Sequence, residues 1–178
     1  MQMFPDESYK VVEHATRRLI VEAPLGFDVS EKRIEECVPA ATALDLSAGC
    51  TSWDDVVERV KDTSPIGMLR YRKIERHPVM KLAGHQLRAT SYALGNFLVA
   101  EQMYGVDPSI FQYLPFEVIL WEDPDGRTYF SFQQPSSVLA NFDDEKFGSY
   151  GREFDGKIAR VLRAMGCTVP RILEESAG

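Results

Sequence analysis

Apolar positions alternate with polar ones in some stretches of the chain and recur every three to four residues in others, and these two periods separate strands from helices. "RRLIVEAP" (17–24) is apolar at its centre and stopped by Pro24, which predicts a first strand. "FDVSEKRIEECVPA" follows, where Asp28 or Ser30 can cap a helix whose Ile34 and Val38 share one face. The small-residue stretch "AATALDLSAGCTS" (40–52) reads as a connector. Ser52 then caps "WDDVVERVKD", with Asp55 three residues on as the capping-box acid and Val56, Val57 and Val60 as its apolar stripe.

"MLRYRKIERH" (68–77) has the alternation of a half-exposed strand, "PVMKLAG" is a turn, and "HQLRATSYAL" is the returning strand. Gly95-Asn96 turns this strand into a helix running to about Tyr104, with Phe97, Ala100 and Tyr104 on one stripe and Val99 and Met103 beside it. "PFEVILWEDPDGRTYFSFQQP" is a hairpin, two β-rich runs around Asp123-Pro124-Asp125-Gly126, in which Pro presets φ and Gly accepts a positive φ. "REFDGKIARVLRAMG" places Phe154, Ile158, Val161, Leu162 and Met165 on one helical face, ended by Gly166.

The order is strand, two helices, two strands, helix, hairpin, helix. Short links join two adjacent strand pairs, so the economical architecture is α+β: an antiparallel sheet of about five strands with helices packed on one face. At 178 residues the chain fits one domain over 16–167, with an irregular lead-in at 1–15 and a tail at 168–178.

Composition narrows the function classes. Hydrophobic residues at 44% and charged residues at 26% are those of a globular chain, and no apolar run approaches a bilayer span, so no membrane partner is expected. The first residues lack the basic and apolar regions of a signal peptide, and a cytoplasmic location is expected. A net charge of -7 argues against nucleic acid. Cys37, Cys50 and Cys167 are odd in number and widely spaced, which disfavours a disulfide framework or a zinc site. No metal or cofactor motif is present, and none is expected.

From about residue 68 to 166 the chain resembles a known family, the bacterial and archaeal domain of unknown function numbered 302. The resemblance rests on "ALGN" leading into a helix, "YLPFEVILWEDPDGRTYFSF", "QQPSSVLANF" and the closing helix around "REFDGKIARVL". "RRLIVEAP" and "SWDDVVERV" stand for its first strand and helix, and residues 25–50 between them are an enlargement of the usual passage. The resemblance implies a TATA-binding-protein-like fold with a curved sheet, and homodimers. It implies no reaction.

Several residues carry candidate chemistry. At Gly95 and Asn96 the helix N-terminus is able to hold an anion, but Asn96 is equally suited to cap those N–H groups itself, and the structural reading is preferred. His77 and His85 flank the turn between the strands at 68–77 and 85–94 and are the candidates for a general base, although exposed loop histidines are the preferred reading. His14 falls in the lead-in. Arg70, Arg72, Lys73, Arg76, Lys81 and Arg88 form a basic strip interrupted by one acid, Glu75. Strand geometry puts Arg70 and Arg72 on one face with Arg88 brought beside them, where they would meet an anionic ligand or the acids of segment 28–62.

Ser136 and Ser137 lack the surroundings of a nucleophile and read as a helix cap, and Asp123, Asp125, Asp143, Asp144 and Glu145 do not have calcium-loop spacing. The aromatics Phe111, Tyr113, Phe116, Trp121, Tyr129, Phe130 and Phe132 build the core, with some free to line an apolar pocket. The expectation is a homodimeric module binding a small anionic or amphipathic molecule. The alternatives are an enzyme acting on a small molecule in the same cavity, and an interaction subunit without a pocket.

Overall fold

The computed structural model describes Tyr9 and residues 11–175, so the rest of the expected lead-in and the end of the expected tail lie outside the described residues. The strands are β1 (Arg18–Ala23), β2 (Leu69–Glu75), β3 (Ala89–Gly95), β4 (Phe116–Glu122) and β5 (Thr128–Gln133). They form one antiparallel sheet of five strands in the order β1-β5-β4-β3-β2. The fold is α+β, and the sheet is open.

Alternation along each strand separates the two sides. Val21 and Ala23, Phe130 and Phe132, Phe116, Val118 and Leu120, and Tyr92 and Leu94 face the helices and are buried. Against them pack α1 (Phe27–Cys37), α5 (Phe97–Tyr104), α6 (Pro135–Leu139), α7 (Glu145–Ala164) and α8 (Arg171–Glu175). The other face of the sheet presents Ile20, Ile74, Ile119, Trp121 and Tyr129, none of which belongs to a core cluster.

The hairpin forms as its turn chemistry requires. Gly126 sits at φ +78°, and the Asp123 carboxylate accepts from the Asp125 and Arg127 N–H groups at 2.9 Å each. The closing helix α7 buries Phe154, Ile158, Val161 and Leu162, and Gly166 takes the left-handed conformation just after it. Ser52 and Asp55 complete a capping box at the start of α3 (Trp53–Thr63), of whose three valines only Val60 is buried.

Other expectations are corrected. The connector 40–52 contains α2 (Ala43–Ser47), whose Thr42 and Asp45 make a second capping box within the small-residue run. The turn "PVMKLAG" belongs to α4 (His77–Leu82), which buries none of its residues. Helix α1 starts at Gly26 with no side-chain cap, because the Ser30 hydroxyl donates instead to the Leu25 carbonyl at 2.9 Å. Tyr104 is 54% exposed; the buried stripe of α5 is Val99, Ala100 and Met103. Beyond 167 the chain forms α8, and its Leu173 is buried in the core.

Two glycines of α7 separate packing from propensity. At Gly151 an added Cβ would lie 2.5 Å from the Ser136 Cα, whereas at Gly148 it would meet only the flexible Arg152 guanidinium at 3.6 Å. Ala is favoured over Gly in a helix by about 1 kcal/mol, while forcing apart packed backbones costs about 1–3 kcal/mol or more. Gly148→Ala should therefore raise the thermal midpoint and Gly151→Ala should lower it, as read by circular dichroism melts; equal shifts would contradict the close contact of α6 with α7.

Candidate functional site

The corner "ALGN" is built by three constraints. The Asn96 side-chain oxygen accepts the Leu98 N–H at 2.8 Å, and its amide donates to the Gly67 carbonyl at 2.9 Å, so the cap is held from both ends. Asn96 is 6% exposed. Gly95 serves close approach, not a positive φ: a Cβ there would stand 3.2 Å from Pro115 Cβ and 3.3 Å from the Tyr71 ring. Pro115 reaches this position through a cis Leu114–Pro115 bond.

A pocket of about 240 Å³ opens over this corner. Its walls are Phe97 and Ala100 of α5, Phe111, Leu114 and Pro115 before β4, and Phe154 of α7, closed by Thr42 and Ala43 at the start of α2. It lies where the main core meets a second cluster formed by Ala41, Leu46, Val60 and Leu69. Tyr71 is the residue that places a polar atom here. It is the extra residue of a β-bulge in β2, between Arg70 opposite Leu94 and Arg72 opposite Ala93, so its ring turns edge-on to Phe97 with centroids 5.2 Å apart. Its hydroxyl is buried with no acceptor for its proton, the Phe97 backbone N–H being directed at its oxygen. Burial pushes the phenol well above its ordinary value, with the Phe97 backbone N–H partly opposing.

The same bulge corrects the reading of the basic strip. Arg70 and Arg72 fall on opposite faces, because one extra residue reverses the alternation. Arg70 faces α1, where Glu35 lies 3.9 Å away, and Lys73 beside it contacts Glu35 at 2.7 Å, Glu75 at 3.2 Å and Glu31 at 3.5 Å. Burial alone would lower the Lys73 ammonium, but the Glu35 and Glu75 contacts more than offset it and hold it charged. Arg72 pairs with Glu117 on the open face. Arg88 lies beyond the opposite end of β2, between Asp28 and Glu122 at 2.7 Å each and 4.4 Å over the Phe27 ring. Acids of α1 and the neighbouring strands thus neutralise Arg70, Arg72, Lys73 and Arg88 from within the chain.

His77 begins α4 with Nδ1 3.3 Å from the Ala89 carbonyl and its ring edge-on to Phe27, while His85 is exposed in the turn after α4. Neither lines the Tyr71 pocket. His14 stacks on Tyr113 with centroids 5.2 Å apart, at the edge of an open groove of about 660 Å³. Two carboxylates of that groove are occupied as caps, Asp107 on the Ser109 N–H and Asp144 on the Lys146 N–H. Ser136 donates its hydroxyl to the buried Asp155 at 2.6 Å, and no histidine joins them; the pair ties α6 to α7. Burial pushes the Cys37 thiol up and the Cys167 thiol up to about 11, which leaves both poor nucleophiles. Among the described residues, no group of three or more His, Cys, Asp or Glu side chains could hold a metal, and no helix is long and apolar enough to cross a membrane.

Sequence reasoning singled out Gly95 and Asn96 but missed Tyr71, Pro115 and Thr42. The bulge that turns Tyr71 inward leaves no local signal, although Leu114-Pro115 before a strand does mark an unusual entry.

The family model of Domain of unknown function DUF302 matches residues 47–165. No curated protein matches the chain. Among solved structures, the crystal structure of an uncharacterized conserved DUF302 protein from Bacillus stearothermophilus is similar with a TM-score of 0.60 at 11% identity, covering 83% of this chain and 97% of that one. At that identity the likeness is one of fold. Thr42 and Ala43, which close the pocket, precede the matched span.

Replacing Asn96 by Ala removes the helix cap and strands the Gly67 carbonyl, and should cost about 2 kcal/mol in urea unfolding. Asp155→Asn leaves part of the Ser136 and Gln134 donor set unmatched and should cost about 3 kcal/mol in the same measurement. Losses below about 0.5 kcal/mol for either, the range of neutral surface changes, would contradict these assignments.

Proposed function

The chain belongs to the DUF302 family, and we propose that it is a homodimeric binding module for a small amphipathic molecule, one with an apolar body and a single polar or anionic end. The observation that carries this is the Tyr71 pocket. Its walls are almost wholly apolar, and its one buried hydroxyl has no acceptor for its proton. Buried polar atoms are rarely left unpaired, since each costs about 1–3 kcal/mol, so a ligand atom that hydrogen-bonds Tyr71 would recover that cost.

The volume bounds the ligand. About 240 Å³ exceeds the roughly 150 Å³ engineered cavity that takes up benzene and falls below the range of drug-sized sites. A single aromatic ring with a short polar arm fits that bound. Binding is favoured over turnover because no histidine or carboxylate lines the pocket. The internal neutralisation of Arg70 and Arg88 turns the ligand reading away from the basic strip and toward this apolar corner. Three unpaired cysteines support a reducing compartment such as the cytoplasm.

The test uses 2-phenylethanol and phenylacetate as probes in thermal unfolding. Either probe should stabilise the wild type, by about 2.7 kcal/mol at one hundred times its Kd. Ala100→Phe, which fills the pocket, should abolish the shift, and Tyr71→Phe should weaken binding about tenfold, the value of one hydrogen bond. An equal shift in wild type and Ala100→Phe would overturn the assignment.

A further inference from the structure

Among the described residues, three side chains on the wall of the Tyr71 pocket carry polar atoms: Thr42, Tyr71 and Asn96. Two of them are already engaged. The Thr42 hydroxyl donates to the Asp45 carboxylate at 2.7 Å and accepts the Asp45 N–H at 3.1 Å. The Asn96 side chain takes the Leu98 N–H and gives its own to the Gly67 carbonyl. Tyr71 is engaged on one side only. The Phe97 N–H, one of the donors that a helix start leaves without an intrahelical carbonyl, is directed at the phenol oxygen, so the oxygen is occupied and the proton is not. A hydroxyl that receives a hydrogen bond is polarised into a better donor. The side chains of the wall thus offer a ligand one donor, no free acceptor and no charged group.

We propose that the ligand's polar end is a neutral hydrogen-bond acceptor, the carbonyl of an aryl ketone, aldehyde or ester, and that Tyr71 donates to its oxygen. The proposal rests on the Tyr71 pocket as the binding site and narrows the class of molecule it takes. An ammonium end brings donors to a wall with no free acceptor, and they go unmatched. A carboxylate end brings a charge with no cation to meet it, and an unpaired charge costs far more to bury than a neutral polar group. The field at the rim points the same way. Hydrogen bonds from Thr42 hold the Asp45 carboxyl below its usual range, so the charge beside the pocket is negative and repels an anion. Deeper in, burial raises the Tyr71 phenol, only the Phe97 N–H opposes it, and no charged side chain acts on it. The aromatic body of the ligand packs against Phe97, Phe111 and Phe154.

Four probes of nearly equal size separate the classes in thermal unfolding: acetophenone as the neutral acceptor, α-methylstyrene as its apolar counterpart, benzoate as the anion and benzylammonium as the cation. At pH 8 the wild type should bind acetophenone at least about tenfold more tightly than benzoate or benzylammonium, the factor of one hydrogen bond. Tyr71→Phe, which keeps the ring and removes only the hydroxyl, should weaken acetophenone about tenfold and leave α-methylstyrene within about twofold. Benzoate should gain about tenfold in affinity for each unit of pH lowered from 8 to 6, because the neutral acid is the form bound, while acetophenone stays constant. Benzoate or benzylammonium binding as tightly as acetophenone at pH 8 would overturn the acceptor assignment. So would acetophenone binding that Ala100→Phe blocks and Tyr71→Phe leaves unchanged, or benzoate binding that is flat with pH; in each case the pocket itself stands. No shift with any probe, or equal shifts in the wild type and Ala100→Phe, would overturn the pocket reading and the acceptor assignment together.

Discussion

A carboxyl group with no exposure must find its hydrogen bonds inside the protein, and Asp155 is that group here. Its oxygens accept from Gln134 Nε2 at 2.9 Å, the Ser136 N–H at 3.0 Å and the Ser136 hydroxyl at 2.6 Å. These bonds lock the start of α6 onto α7 where Gly151 permits backbone contact. Because Gln134 also donates its N–H to the Arg17 carbonyl at 2.7 Å, the same knot fixes the end of β5 against the start of β1. The edge strand from the first part of the chain, the hairpin and the longest helix all meet there.

With α7 so placed, Phe154 reaches Phe116 edge-on at 5.0 Å, and the central strands are covered on one side. The helices assigned to the main core are consumed on that side, and among the described residues none of them packs on the isoleucine and arginine face. One face thus makes the core and its pocket, while the other carries exposed and half-buried side chains. Charge follows the same division, since α1 delivers Glu31 and Glu35 to Lys73 on the covered face while Arg72 and Glu117 pair on the open one.

The pocket arises where regular geometry breaks. A bulge turns Tyr71 inward, Gly95 lets Pro115 approach, and the enlarged passage before α3 supplies Thr42 and Ala43 as a wall. None of these alone makes a site. The Asn96 cap, which occupies the Leu98 N–H that an anion would use, explains why the corner offers an apolar pocket instead of an open helix N-terminus.

The hairpin, the Ser52 capping box, the Asn96 cap and the apolar face of α7 were legible in the sequence because each rests on contacts within a few residues, where turn chemistry and helical period act directly. The α+β class followed from their order. Short elements such as α2 and α4 escaped because six residues or fewer show too little periodicity. Which face Arg70 takes, where Tyr71 points and which acids meet Arg88 depend on a one-residue bulge and on partners up to sixty positions away. Those were decided by the tertiary structure, since register across strands is set by packing of the whole sheet and not by any local stretch of chain.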